Sequence, residues 1–97
     1  MGGVIEGNPW VWVMVQNPGG NEQFFGLNDD EAGISFIPVF LEKETALQCF
    51  INMPREAGEK YEAQAIRYEY LADQVARNGF VLYVLDGDGQ VLYRGKP

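Results

Sequence analysis

Few side chains in this sequence could act as nucleophiles or assist one. The 97 residues contain no histidine, so no Ser-His-Asp or Cys-His arrangement and no histidine-based metal site can form. The candidate nucleophiles are Cys49, Ser35 and Thr45. Cys49 falls beside the apolar stripe of a predicted helix, and Ser35 lies in a predicted strand without a Gly-x-Ser-x-Gly motif. The sequence therefore predicts a buried, structural Cys49 and no catalytic residue, so we expect a protein that is not an enzyme.

Two groups of carboxylates invite a metal-binding or acid–base interpretation. Residues 86–89 (Asp-Gly-Asp-Gly) have the composition of a calcium loop, but EF-hand spacing requires a glycine and a glutamate where the chain has Val91 and Pro97. Residues 29–31 (Asp-Asp-Glu) are adjacent in a polar loop, where carboxylates are normally solvated. Both groups are predicted to be turn and loop residues, and we expect no tightly bound divalent metal and no cofactor.

Charge and length exclude several classes of partner. Seven bases against fourteen acids give a net charge of −7, and the bases are scattered, which argues against nucleic acid and anionic membranes. The longest apolar runs, 10–15 and 80–85, are far shorter than the roughly 20 residues of a membrane helix. No signal peptide or lipidation motif is visible, so we expect a cytoplasmic location. We expect one domain over 1–97, with 1–8 as a flexible arm.

Apolar periodicity and turn signals predict most elements of the chain. The turn cluster 17–21 joins two strands as a hairpin, and Pro38 places its part of a third strand at an edge, a bulge or a strand end. In the first helix, Ala46, Leu47, Phe50 and Ile51 share one face, which we expect to be the buried one. The predicted elements are strands over 10–15, 23–27 and 34–41, a helix over 42–52, a helix ending at 78–79, and strands over 80–85 and 90–94.

The segment 60–78 has two interpretations. Propensity favours a single helix, whereas the alternative makes 65–68 a short strand and begins the helix near Glu69. In both, Asp73 and Arg77 can pair at i,i+4 and Asn78-Gly79 ends the helix. In both, the residues predicted to face the core are Leu71, Ala72, Val75 and Ala76.

Residues 33–40 (Gly-Ile-Ser-Phe-Ile-Pro-Val-Phe), followed by an acidic helix start and Ala46, resemble the core motif of SseB-type domains, named for enhanced serine sensitivity. Residues 65–68 through Leu71, and then 78–80, are similar to the second half of that family. The resemblance implies a short strand before the second helix, so we favour the broken interpretation of 60–78. Leu41 stands where the family has a threonine helix cap, which implies a missing or displaced cap. The family has no settled activity, so the resemblance implies a fold and no catalytic residues.

These elements predict an α+β fold, with a mixed five- or six-stranded sheet in the order βββα(β)αββ and two helices packed on it. The first strand is apolar on both faces: Trp10, Trp12 and Met14 lie on one side and three valines on the other. Two short helices leave part of such a sheet uncovered. Either the N-terminal arm and loops cap the remainder, or a partner buries it.

The sequence is compatible with two functions. The leading hypothesis is a non-enzymatic protein-interaction module, self-associating or binding another protein through an apolar sheet face or edge. Its candidate surface residues are Trp10, Trp12, Met14, Tyr83 and Tyr93. The alternative is a small-molecule-binding regulatory module whose pocket is rimmed by the loops 28–31 and 53–62.

Overall fold

A seven-stranded mixed sheet forms the centre of the protein, with one helix on each face. The structure is a computed structural model that describes residues 7–53 and 58–95. Its elements are β1 (Trp10–Gln16), β2 (Gln23–Phe24), β3 (Leu27–Asp29), β4 (Ile34–Phe40), α1 (Lys43–Ile51), β5 (Tyr61–Arg67), α2 (Tyr68–Ala76), β6 (Phe80–Leu85) and β7 (Val91–Arg94). The predicted α+β class is confirmed. Seven strands form because 23–29 holds two short strands and 61–67 a full one.

The strands are joined in the order β5-β1-β4-β6-β7, with β2 and β3 between β1 and β4. The β1–β2 hairpin turns at Asn17, whose φ of 55° lies in the left-handed region that asparagine tolerates. β4 and β6 are parallel, and the chain crosses between them through α1, β5 and α2. The other pairs are antiparallel.

Pro38 decides how β1 and β4 pair. Trp12 is opposite Phe40, and continuing this antiparallel register would place Met14 opposite Pro38. Proline has no N–H to donate to the ladder. The carbonyl of Met14 instead accepts a hydrogen bond from the N–H of Phe25, at 2.9 Å. β1 and β4 therefore separate at this point, and the segment between them is filled by β2 and β3.

The prediction that Pro38 marks an edge, a bulge or a strand end is wrong. The residue is buried in a central strand that pairs with β6 on one side along 35–39. On the other side, the partner of β4 changes from β3 at 34–36 to β1 at 39–40. Pro38 lies in the gap between these two pairings, where no N–H is needed.

The two helices divide the apolar side chains of the sheet into two clusters. On the α1 face the buried cluster is Met14, Phe25, Phe36, Phe40, Ala46, Cys49, Phe50, Val81, Tyr83 and Leu85. On the α2 face it is Val11, Val13, Val15, Ile37, Val39, Leu71, Val75, Leu82 and Val84. Because each sheet face carries its own helix, the alternating apolar side chains of β1, β4 and β6 are buried on both sides.

The buried face of α1 differs from the predicted one. Ala46 and Phe50 are buried as expected, but Cys49 takes the third core position, while Leu47 and Ile51 are 44% and 68% exposed. The helix is rotated so that its Cys49 flank lies against the sheet. Its N-cap residue is Glu42, whose side chain makes no capping bond.

The broken interpretation of 60–78 is confirmed, with a strand of seven residues rather than four. Leu71 and Val75 are buried, whereas Ala76 is exposed, so the prediction that it faces the core is wrong. The predicted Asp73–Arg77 ion pair forms at 3.1 Å. Both of its side chains are largely exposed, so it contributes little to stability.

Asn8 connects the start of the described chain to α2. Its Oδ1 accepts the N–H of Glu69 at 2.8 Å, which caps the helix from a distant part of the sequence. Its carbonyl oxygen accepts from Nη1 of Arg67 at 2.9 Å. The arm predicted over 1–8 otherwise lies outside the described residues, since these begin at residue 7.

Replacing Gly26 by alanine tests the insertion of 23–29 between β1 and β4. A Cβ at this position would lie 2.9 Å from Cε2 of Phe80 and 3.1 Å from Cδ1 of Ile37. We expect Gly26→Ala to lower the free energy of unfolding by about 1–3 kcal/mol in urea titrations, because the core must shift. The control is Gly20→Ala, whose Cβ meets only the carbonyl of Asn17 at 3.7 Å. Equal unfolding midpoints for the two variants would contradict this packing.

Candidate functional site

The two outer strands of the sheet, β5 and β7, are built differently. β5 pairs with β1 along all seven of its residues without a register shift. β7 has four residues, and its pairing with β6 is interrupted by a register shift between Val84 and Leu85. Short or bulged edge strands resist pairing with other chains, whereas long regular ones accept it. β5 is therefore the edge open to a further strand within the described part of the protein.

The alternation of backbone groups along β5 shows which amides face outward. Two hydrogen bonds at the ends of the ladder fix the pattern: Asn17 N–H to Lys60 C=O at 2.7 Å, and Tyr68 N–H to Pro9 C=O at 2.9 Å. Successive residues of a strand direct their N–H and C=O groups to opposite sides. Even-numbered residues of β5 thus bond to β1, while Ala63 and Ala65 direct their N–H and C=O groups to the outer edge.

One flank of α1 borders this edge. The Nζ of Lys43 lies 5.8 Å from the ring centroid of Trp12 on β1, and Leu47 and Ile51 continue the same row at intervals of four residues. The opposite flank of α1, which includes Gln48, lies against the β6–β7 turn at the far side of the sheet. The exposed Leu47 and Ile51 therefore lie on the β5 side of the helix.

Trp10 is a further exposed apolar side chain, beside the Arg67 end of β5. It is paired with Arg67 and is 57% exposed, and the Arg67 guanidinium lies 4.8 Å from its ring centroid. This is a cation–π contact, and the carbonyl of Asn8 holds the guanidinium in place. An accessible tryptophan fixed by such contacts is the type of residue that anchors protein interfaces.

On the other face, β5 borders a groove of about 650 Å³. The groove lies between the end of α2 and the β1–β2 hairpin. Apolar rings and aliphatic chains form most of its walls, among them Phe24, Ile66, Val75 and Phe80. The lining also contains the carboxylate of Glu22 and three amides: Gln23, Gln64 and Asn78. The β5 edge is thus bordered by apolar side chains on both faces of the sheet.

The predicted surface residues do not form one surface. Met14 and Tyr83 are each 2% exposed and belong to the core of the α1 face. Tyr93 is half-buried on the opposite face, because residues of β7 alternate between the two faces. The inclusion of Met14 and Tyr83 was therefore wrong, and Tyr93 lies on a different face from the tryptophans. Trp10 and the half-buried Trp12 remain accessible, both on the α1 face beside β5.

A second cavity, of about 430 Å³, lies on the α1 face between the β3–β4 loop and the β6–β7 turn. Residues 28–31, the first loop predicted to rim a pocket, line it together with Met53, the first residue of the second predicted loop, whereas residues 58–62 of that loop do not. Residues 54–57 of the second loop lie outside the described residues. Apolar side chains form the floor, and the lining contains Asp29, Asp30, Glu31 and Asp88 but no lysine or arginine.

Several of the candidate polar residues have structural partners. Asp29 accepts hydrogen bonds from the Tyr83 hydroxyl at 3.1 Å and from the N–H of Ala32 at 3.3 Å. Oδ1 of Asp86 accepts two backbone N–H groups within the 86–90 turn, each at 2.9 Å. The hydroxyl of Ser35 donates to Asn28 across the β3–β4 pair at 2.9 Å. No group of three or more metal-ligating side chains occurs among the residues that the structure describes.

Cys49 is buried at the edge of the second cavity, as its place in the sequence predicted. Burial raises the pKa of its thiol, and the nearby carboxylates of Asp86 and Asp88 raise it further. Each effect disfavours the thiolate, which is the reactive form. The environment of Cys49 therefore suits a core residue and opposes a nucleophile.

Along 7–53 and 58–95, no helix is long and apolar enough to cross a membrane.

Thiol labelling tests this environment. We expect Cys49 to react slowly with a thiol reagent in the folded protein at neutral pH, and rapidly in urea. Because its pKa is higher in the folded state, its contribution to the free energy of unfolding is complete below the ordinary thiol pKa and is lost as the pH rises through the folded pKa. Cys49→Ala should therefore flatten the alkaline decline in stability. Rapid labelling of the native protein would contradict burial.

The comparisons with known proteins found no match. No protein-family model matches it, and no curated protein or solved structure is significantly similar to it. The resemblance to SseB-type domains therefore stays a prediction that rests on the residues quoted for it.

Proposed function

We propose that this protein is a non-enzymatic interaction module of the cytoplasm, which binds an extended protein segment along the outer edge of β5. The observation that carries the proposal is the outward direction of the backbone groups of Ala63 and Ala65 on a long, regular edge strand. Addition of a strand would satisfy these groups with main-chain hydrogen bonds, as in other peptide-binding domains that extend a sheet.

Apolar side chains around the β5 edge would add affinity to backbone pairing. Main-chain hydrogen bonds contribute only about 0.5–1.5 kcal/mol each, because they replace bonds to water. Stable binding of a peptide therefore also requires the burial of apolar side chains. Leu47 and Ile51 border the edge on the α1 face, Trp10 lies at its end, and Ile66 lies on the α2 face. An added strand could place alternate side chains against these two borders, which would give it sequence preference.

Proline substitution at the edge tests this function. Ala65→Pro removes an N–H that does not bond to β1, so the fold should remain intact, as prolines are tolerated on edge strands. Peptides selected from a displayed random library on the wild-type protein should bind Ala65→Pro at least about tenfold more weakly. Ala65→Ser is the matched control, because it keeps the N–H and should retain binding.

Amide chemical shifts locate the binding in the same experiment. We expect the selected peptides to perturb Ala63 and Ala65 most strongly. Peptides that bind Ala65→Pro as tightly as the wild type, or that perturb a different part of the protein, would refute strand addition at β5. Circular dichroism of each variant establishes that the fold is retained.

The 430 Å³ cavity supports a second candidate, a regulatory site for a small molecule. Its volume is within the range of ligand pockets, and apolar side chains form its floor. Since the lining holds four carboxylates and no base, it favours a cationic ligand with an apolar body.

A thermal-shift panel of aliphatic and aromatic amines, with the corresponding carboxylic acids as controls, tests this candidate. Binding should raise the melting temperature by about 5 °C or more for amines alone. The variant Asp30→Asn/Glu31→Gln should lose the effect. Glu42→Gln/Glu44→Gln, which removes the same charge from α1, should keep it. Equal shifts in both double variants would show that the amines act through net charge and not through the cavity.

A further inference from the structure

We propose that the strand added to β5 is β5 of a second copy of this chain, antiparallel, with Gln64 opposite Gln64 on the twofold axis. This inference rests on the proposed function of the β5 edge, and it names the partner. The surface is one that pairs with itself, as a twofold dimer requires.

The outward backbone groups match in this register. Ala63 of one copy lies opposite Ala65 of the other, and the reverse pair is formed by symmetry. Both residues direct N–H and C=O outward, so each pair exchanges two hydrogen bonds. The register with Gln64 on the axis pairs the whole length of the strand, from Tyr61 to Arg67. A shift to either side shortens the overlap.

The side-chain pairs are also compatible. Glu62 of one copy lies opposite Ile66 of the other, and Arg67 opposite Tyr61, so no like charges face one another across the interface. Arg67 is then beside an aromatic ring, a favourable neighbour for a guanidinium. Like charges directly opposite on paired strands would destabilise the pairing.

Charge permits self-association at this surface. The chain carries a net charge of −7, so two copies repel over most of their surface. β5 contains one acid, Glu62, and one base, Arg67, and is neutral as a strip. Lys43 on the bordering flank of α1 adds a positive charge. The β5 edge is thus a place where two copies can approach with little electrostatic cost.

The small side chains of β5 leave room for α1. Ala63 and Ala65 face the same side of the sheet as Trp12, which is the α1 face. When the two sheets join, the flank with Leu47 and Ile51 of each copy adjoins the alanines of the other. This contact buries aliphatic chains that are 44% and 68% exposed in the single chain.

Disulfide trapping tests the register. On the axis, the two Cα atoms of residue 64 form a non-hydrogen-bonded pair at about 4.5 Å, within the range that a disulfide spans. In a Cys49→Ser background, Gln64→Cys should form a covalent dimer rapidly on mild oxidation. Glu62→Cys, on the same face, is the matched control. In this register its two copies are about 14 Å apart and should not link.

Sedimentation velocity of the full chain measures association without cross-linking. The wild-type protein should shift from monomer to dimer as its concentration rises, and Ala65→Pro should stay monomeric. Hydrogen exchange at Ala63 and Ala65 should slow with concentration. Equal trapping of the two cysteine variants, or a wild-type monomer up to about 1 mM, would overturn the dimer. If peptides still bind at β5 in that case, the proposed function stands and this partner alone is wrong. If they do not, both fail.

Discussion

The organisation of the sheet depends on a hydrogen that Pro38 lacks. A donor at this position would let β1 and β4 pair along their whole length. Without one, the carbonyl of Met14 is left in the core, where an unsatisfied acceptor costs about 1–3 kcal/mol. The N–H of Phe25 satisfies it, and this bond holds 23–29 between the two strands. The phenyl ring of Phe25 then packs edge-to-face on Phe50 at 5.1 Å, which ties α1 to the same point.

Continuous apolar runs predicted the central strands because burial on both faces leaves a strong signal in the sequence. β1 and β6 carry such runs, and both were found within one residue of their bounds. Pro38 was misplaced because the general rule considers only the proline's missing N–H, which leaves a carbonyl of the neighbouring strand without a donor. It does not foresee a third segment that supplies the hydrogen bond. The α1 face was misplaced for a related reason, since Leu47 and Cys49 are both apolar enough to flank Phe50.

The candidate site was harder to predict than the fold. β5 alternates small, polar and apolar residues, so its pattern resembles that of an amphipathic helix as much as that of a strand. The amides of β5 that face outward are those that do not bond to β1. Their identity depends on which residues of β1 bond to β2 and β4, and so on the tertiary structure. Trp10 could be identified as a surface residue from sequence, but Met14 could not be excluded, because both lie on the same side of one strand.

The acidic composition and the open β5 edge have opposite effects on association. A net charge of −7 keeps copies of the chain apart, but at physiological salt a surface charge acts over only about 8 Å. A seven-residue strand is about 23 Å long, so its ends lie about 12 Å from its middle. Charges beyond the ends of β5 are therefore partly screened from its middle, where Ala63 and Ala65 direct their backbone groups outward, and the charges within the strand, Glu62 and Arg67, are opposite in sign. General repulsion thus disfavours random contacts, whereas the neutral β5 strip opposes the proposed pairing little.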